Sequence, residues 1–445
     1  MTGKKTALLL AGGMLAGMLA GCGKGPETAA ETAPQAKQET QEKVQVDNTP
    51  AELVFYSTSA DSEESFNQRF GDAIRKKFPN YSIKYIQKGS GTTLPEMMTA
   101  GTPFDIYFDS IGNFVDGLNT NLQMDMTDLI KKHKIDLNRF EPSLIEAIRQ
   151  ISGGKIYGLP VFTNNMITYY NKDIFDRFGV PYPKDGMTWD DALELSRKLD
   201  RSDGGKTYYG LSVSTSHIMR LNSFSAPFVD PNTGKAAIGQ EAWKKLFQTV
   251  FLGPAQDQGY KAKVEALKGK LPYKNEFVKD RELGMLVYLS NYFTTNEKDL
   301  ASMNWDMVSM PTFKERPGVG SQSYPTFFTV TSMSKNKDAA MEVLKYLVSD
   351  EYQTDAAKKG VIPVLKDDGI RKVLGQDTPF KDKHFQAIFY LQFAPIAPKT
   401  IYDVAVEKAY SGQIGDLSRG TVDLNTAIRT AEEMANQAIE AEKNK

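Results

Sequence analysis

AELVFYSTSADSEESFNQRFGDAIRKKFPNYSIKYIQ, residues 51–87, changes hydrophobic period twice within one short stretch. Leu53 to Tyr56 (LVFY) is a brief apolar run of the kind that makes a buried strand. Asp61 then opens a helix, with Glu64 three residues on as in a capping box. Phe66, Phe70, Ile74 and Phe78 follow at intervals of four and make one apolar stripe. Pro79-Asn80 ends the helix, and SIKYIQ from Ser82 to Gln87 alternates as a half-buried strand does. The stretch is a βαβ unit. A short helix around Leu94 to Thr99 and a third strand from Phe104 to Phe108 extend it, so the amino-terminal part is an α/β sheet with crossover helices.

Upstream, Lys4 and Lys5 precede an apolar run from Ala7 to Ala20, closed by Leu19-Ala20-Gly21-Cys22. That is the plan of a secretory signal peptide. The run is shorter than the ~20 residues of a spanning helix, and Gly12, Gly13 and Gly17 interrupt it. Leu-Ala-Gly-Cys matches the bacterial lipobox, which places the chain's only cysteine where diacylglycerol is attached. The expected mature chain begins at Cys22, anchored by lipid on the extracytoplasmic face of the cell membrane, with residues 1–21 as leader. Two or three acyl chains hold a protein to a membrane where one does not. Residues 22–50 lack aromatics, Leu and Ile after the cysteine and form a disordered tether. As a flexible coil its reach is roughly 30 Å.

The remaining body, 51–445, is too long for one ordinary core and points to two lobes. The whole sequence has 54 Lys and Arg, Lys4 and Lys5 among them, against 55 Asp and Glu, so the mature chain is slightly acidic. That balance lacks the basic footprint of a nucleic-acid binder. With Cys22 acylated no disulfide forms, so stability rests on core size. Thr188 caps a helix with Asp191 as its partner; Ala340, Val343, Leu344, Leu347 and Val348 give another helical stripe; and Leu424, Ile428, Ala431, Ala435 and Ile439 pattern a last helix over 422–442.

GKIYGLPVFTNNMITYYNKDIFDRFGVPYPKDGMTWDDALELSRK, residues 154–198, resembles the central signature of the extracellular solute-binding proteins of bacterial ABC importers, in the sugar-binding cluster that includes maltose-binding protein. MVSMPTFKERPGVGSQSYPTFFTVTSMSKNKDAAMEVLKYLVSDEYQ, residues 307–353, and the run from Asp403 agree in order and spacing. The resemblance implies a two-lobed α/β fold of the periplasmic-binding-protein type II, with lobes joined by three crossings and the ligand cleft between them. The crossings are expected near Leu159 to Asn165, near Ser309 to Thr312, and near Ser349 and Asp350. Lobe one is then 51–162 plus 311–348, and lobe two 163–310 plus 349–445. Pro160 and Pro311 suit hinge positions because they fix local φ.

The implied function is a lipid-anchored receptor that captures a solute, a sugar or oligosaccharide, by hinge closure and passes it to the permease of an ABC transporter; the reading makes it a monomer without cofactor or catalytic residues. Sugars need paired donors and acceptors for their hydroxyl groups and aromatic faces for their C–H surfaces. Carried over by the resemblance, the candidate contacts are Ser57 and Thr58 after the first strand, Ser90 and Thr92 after the second, Asp109 and Ser110 after the third, and Asn164 at the first crossing. Asp109 also suits a cap for the helix starting near Gly112. From lobe two come Asn291 and Tyr292, beside Ser290, where the family often places a tryptophan that this chain lacks; Tyr292 is the expected substitute, and Tyr324 a second stacking candidate. Trp189 and Trp243, at helix starts, are expected to pack.

Competing chemistry is thin. His133, His217 and His384 show no zinc spacing. Gly205-Lys206-Thr207 follows Asp200 where a phosphate loop needs Gly, and is a turn before a strand. DPNTGKAAIGQE, from Asp230 to Glu241, has Lys235 where a calcium loop needs Gly, and is a turn leading into a helix. The pairs Tyr169-Tyr170 and Tyr208-Tyr209 leave an Fe(III)-binding receptor of related fold as one alternative, although neighbours on a strand face opposite sides. A secreted glycoside hydrolase is the other, since carboxylate spacing is invisible in sequence. No Gly-x-Ser-x-Gly elbow is present.

Overall fold

The computed structural model describes residues 49–59, 61–118 and 120–444; the leader, Cys22 and nearly all of the tether lie outside the described residues. The opening stretch folds as β1 (Ala51–Ser57), a helix, and β2 (Tyr81–Gln87) parallel to β1. The helix runs Glu63–Phe66, passes a π turn at Asn67–Gly71 and continues as Asp72–Lys77. Its cap is Ser62, whose side chain accepts from the Ser65 amide at 3.2 Å. Asp61 is thus not the cap: its carboxylate accepts from Arg69 at 3.0 Å, and Glu64 accepts from Gln68. Phe66, Phe70, Ile74 and Phe78 are all buried, as their spacing requires.

β3 (Ile106–Ser110) begins two residues later than its hydrophobic run suggests. The reason is Asp105, whose carboxylate accepts from the Val54 amide at 3.0 Å and from the Ser334 hydroxyl at 2.6 Å and so ties down the approach. β4 (Leu159–Phe162) follows, and then β5 (Met166–Asn171), β6 (Arg201–Asp203), β7 (Lys206–Val213), β8 (Leu283–Leu289) and β9 (Trp305–Ser309). β10 (Val319–Gln322), β11 (Thr326–Val330) and β12 (Gln392–Ala394) complete the strands.

Two five-stranded sheets result, in the orders β2-β1-β3-β11-β4 and β6-β7-β8-β5-β9, with β10 and β12 paired apart. β11 enters the first sheet antiparallel to both β3 and β4, and β5 enters the second antiparallel to β8 and β9. One face of the first sheet is an aromatic core: Phe66 stacks on Tyr85 at 4.6 Å, Phe108 on Phe328 at 4.6 Å, and Phe70 meets Phe108, Phe162 and Phe328. The other face packs Tyr56 on Phe104, and Phe114 between Tyr107 and Phe327.

The chain leaves the first sheet through residues 163–165, between β4 and β5, and returns between β9 and β11. After the helix Lys337–Leu347 it stays with the first-sheet half longer than the crossing near Ser349 and Asp350 would allow. Tyr352 donates to the Arg69 carbonyl at 2.7 Å, Asp350 pairs with Arg139, the Glu141 amide donates to the Val364 carbonyl, and Arg371 pairs with Glu141 at 2.9 Å. Contacts with the second half start at Gly360, which packs against Phe293 and Thr294, and continue at Phe380 on Trp305 and Phe385 on Phe293. The third passage is therefore drawn out past Ser349 and Asp350: long-range pairing, invisible in local pattern, holds 350–371 to the first half while Gly360 already meets the second.

Thr188 and Asp191 cap each other as expected, the Thr188 amide donating to Asp191 at 2.8 Å and the Asp191 amide to the Thr188 hydroxyl at 3.2 Å. Gly204 and Gly205 form the turn between β6 and β7, and Asp230 turns its loop by accepting from the Asn232 and Thr233 amides. Trp189 and Trp243 are buried in packing, and the last helix, Leu424–Lys443, buries Ile428, Ala431, Ala435 and Ile439. Replacing Phe70 by Ala empties the aromatic core at its centre; the expected cost is about 3–5 kcal/mol, read as a lower urea midpoint at unchanged slope.

Candidate functional site

Strand direction puts the carboxyl ends of β1, β2, β3 and β4 on one edge of the first sheet, and those of β7, β8 and β9 on one edge of the second. Three residues join the edges, from Phe162 to Met166, so the two face one another. Open α/β sheets bind ligands outside the carboxyl ends of their strands. At the join, three segments lie side by side: the Tyr324 and Asn164 backbones exchange bonds of 2.6 and 3.2 Å, and the Thr163 amide donates to the Ile362 carbonyl at 3.2 Å.

On the first wall Asp109 is the organiser. One carboxylate oxygen accepts from the Thr58 amide at 3.0 Å and from the Thr58 hydroxyl, the other from the Ser110 amide at 2.9 Å and the Asn113 side chain at 3.2 Å. Burial pushes its carboxyl above the usual range while these bonds pull it down. Asp109 is 1% exposed, so it fastens the loop after β1 to the helix Ile111–Leu118 and is not itself open to a solute. Ser57 is fully buried, its hydroxyl 2.8 Å from that of Ser59. Ser90 is exposed in the loop after β2, and Thr92 closes that loop on itself through the Gln87 carbonyl and the Gly89 amide.

The structure brings four of the candidates together at the join. Ser110 donates to the Tyr324 phenol at 3.3 Å, and Tyr324 is paired through its backbone to Asn164. Asn164 and Asn291 line one cavity of about 1050 Å³ with Asp61, Arg69, Phe162 and Tyr352. Its walls mix charge, amide and ring, which suits a polyhydroxylated solute. Tyr292 does not belong to this surface. It is 0% exposed, lies perpendicular to Tyr169 at 5.4 Å and Tyr288 at 5.1 Å, and has the Lys274 ammonium 5.5 Å from its ring centre, so it is buried in packing and not open to stack on a sugar.

The second wall contributes residues that pattern alone does not single out. Arg220 ends the helix Thr215–Arg220, donates to Glu407 at 2.5 Å and to the Tyr324 phenol at 3.4 Å. Lys399 donates to the Arg220 carbonyl at 3.4 Å. Burial lowers the Lys399 ammonium and raises the carboxyls of Asp403 and Glu407. The ammonium of Lys274 sits 4.8 Å above the Tyr288 ring and 5.7 Å from that of Tyr273, a cation–π arrangement. Arg220 and Glu407 are 187 positions apart, so no local spacing could have paired them.

The tyrosine pairs diverge, as strand geometry requires. Tyr169 turns to Tyr292 and Trp305 and donates to the Ser290 carbonyl at 2.9 Å, whereas Tyr170 packs on Phe175 and Tyr182. Among the described residues no three His, Cys, Asp or Glu side chains gather as a metal site would, and no helix is long and apolar enough to cross a membrane.

His217 gives this wall a pH signature. Its Nδ1 is 2.7 Å from the Ser214 hydroxyl, its ring is edge-on to Tyr288, and burial, helped by Arg220 and Lys274, holds its pKa down to about 4. The unfolded chain has the ordinary value near 6.5 and binds the proton first. Stability is thus fully present above about pH 6.5 and is lost as pH falls through about 4, by up to roughly 3 kcal/mol. Urea midpoints at pH 7.5 and 4.5 should show this loss, and His217→Gln should shrink it.

A match to the family described as bacterial extracellular solute-binding protein spans residues 57–354. A binding protein of Brucella abortus (strain 2308) is 23% identical over 227 residues, 48% of this chain and 52% of its own length; the chain thus spans about half the length of the curated relatives it matches. Among solved structures, a sugar transporter from Rhizobium etli in an open conformation superposes with a TM-score of 0.71 at 21% identity, over 86% of this chain and 98% of its own. An ABC substrate-binding protein from Listeria monocytogenes in complex with cycloalternan gives 0.70 at 19% identity, over 88% and 99%. The shared architecture is the two-lobed type II fold. With its family match covering two thirds of its length, the chain belongs to the bacterial extracellular solute-binding proteins.

Proposed function

We propose that this protein is the receptor of an ABC importer and captures a sugar or oligosaccharide in the cleft between its two sheets. The observation that carries the reading is the polar cavity of about 1050 Å³ at the join, with amides of Asn164 and Asn291 on its wall. Amide groups offer a donor and an acceptor each, which is what vicinal hydroxyl groups need. The Listeria protein in complex with cycloalternan supports the same class of solute. Ser110 and Tyr324 are the contacts proposed beside the two asparagines. Ligand that bridges both walls stabilises the closed arrangement and shifts the equilibrium toward it. The lobes proposed are the two sheets with their helices, with residues 350–371 assigned to the first. ATP hydrolysis belongs to another subunit, and the receptor itself acts as a monomer without turnover.

The anchor is part of this proposal. Cys22 at the end of Leu-Ala-Gly carries the lipid, and the tether holds the body away from the bilayer. Expressed in a bacterial host, the chain should partition into the membrane fraction, and Cys22→Ser should release it to the soluble fraction; equal partition of both would remove the anchor from the reading.

Thermal unfolding against a panel of mono- and oligosaccharides, polyols, amino acids, peptides and Fe(III) tests the solute. A binder at a hundred times its Kd adds about 2.7 kcal/mol of stability. One class of saccharide should raise Tm without being consumed, and Asn164→Ala and Asn291→Ala should each weaken that binding about tenfold, the order of one lost hydrogen bond. Consumption of the sugar would instead make the protein a hydrolase, and a shift with Fe(III) alone would overturn the sugar reading.

A further inference from the structure

Tyr324 lies in the segment between β10 and β11, and its position is fixed from both directions along the backbone by the exchange with Asn164. Its phenol oxygen receives two donors of different origin. Ser110, at the end of β3 in the first sheet, donates at 3.3 Å. Arg220, at the end of the helix after β7 in the second half, donates at 3.4 Å while its Nε is clamped by Glu407. The oxygen can stand there because residue 112 is glycine: a Cβ at Gly112 would lie 2.8 Å from it. The His217 ring closes the other side, edge-on with ring centres 6.4 Å apart.

We propose that Tyr324 is the positioning residue that couples the two walls, its phenol oxygen being the common acceptor through which the first and second halves hold their mutual angle. One donor is charged, and charge-assisted bonds are about twice as strong as neutral ones. Both bonds use the oxygen as acceptor, so the phenol proton is left for a group entering the cleft. A solute acceptor taking that proton polarises the same oxygen toward both walls and strengthens the link. The coupling is a property of the ligand-free chain and does not rest on the identity of the solute.

The test uses the full chain without ligand, with nitroxides placed at positions 131 and 433, one exposed site on each half, through a non-natural amino acid that leaves Cys22 untouched. Pulsed electron resonance then reads the distance between the halves. Tyr324→Phe keeps the ring and deletes the acceptor. The expected result is a population shift of about tenfold away from the arrangement described above, the factor that 1.4 kcal/mol carries. Ser110→Ala should move the distribution in the same direction, and the double variant no farther than Tyr324→Phe alone, because both changes break one link. Tyr390→Phe, at an exposed tyrosine elsewhere, should change nothing. An unaltered distribution in Tyr324→Phe overturns the proposal, as does a double variant in which the two shifts simply add. Should Tyr324→Phe fail to fold, Ser110→Ala and Gly112→Ala carry the same reading, since each disturbs the same bond from the first wall.

Discussion

The two backbone bonds exchanged by Asn164 and Tyr324 are the constraint on which the rest of the structure depends. They lie where the chain first leaves one sheet and where it comes back, so they hold two five-stranded sheets edge to edge through only a few residues. Backbone groups at such a join need partners, since little else can satisfy them. Pairing the segments with each other does so and keeps the join narrow enough to bend. Hinges of this kind absorb motion in a few positions while the packed halves move as units.

The first half is held together by aromatic packing more than by ion pairs. Most of the ion pairs on this surface are exposed, and exposed pairs contribute about 0–1 kcal/mol each. Phe66, Phe70, Phe108 and Phe328 form a continuous ring-on-ring core under β1, β3 and β11. Phe328 reaches that core from more than two hundred residues away, on a strand that inserts between β3 and β4. The first sheet cannot be completed until the second sheet, β5 to β9, has been traversed.

At the cleft the same economy separates support from contact. Asp109 is buried and fully engaged, and its work is to present Thr58 and Ser110. Tyr292 is likewise a packing residue that supports the wall from beneath. The polar groups at the join are amides, hydroxyls and a phenol beside charges that are paired, Arg69 with Asp61 and Arg220 with Glu407. Such a surface meets a neutral polyhydroxylated molecule without stranding a charge.

Much was legible in the chain itself. The period-four stripe from Phe66 to Phe78, the cap at Thr188 and the stripe of the last helix are local patterns, and burial is what periodicity encodes. The resemblance carried by residues 154–198 and 307–353 conveyed the two-lobed plan. Local pattern could also mislead: Asp61 has the type and spacing of a cap, but Ser62 takes the role because Arg69 claims the carboxylate. What only the tertiary structure decided is everything set by distant partners. The third passage is drawn out past Ser349 because Glu141 and Arg69 hold the segment that follows it, Tyr292 turned inward because Tyr169 and Tyr288 pack against it, and Arg220 reached Tyr324 because Glu407 aims it. Periodicity and caps are written within a few residues, whereas which face of a residue meets solvent depends on strands and helices that the chain supplies a hundred or more positions later.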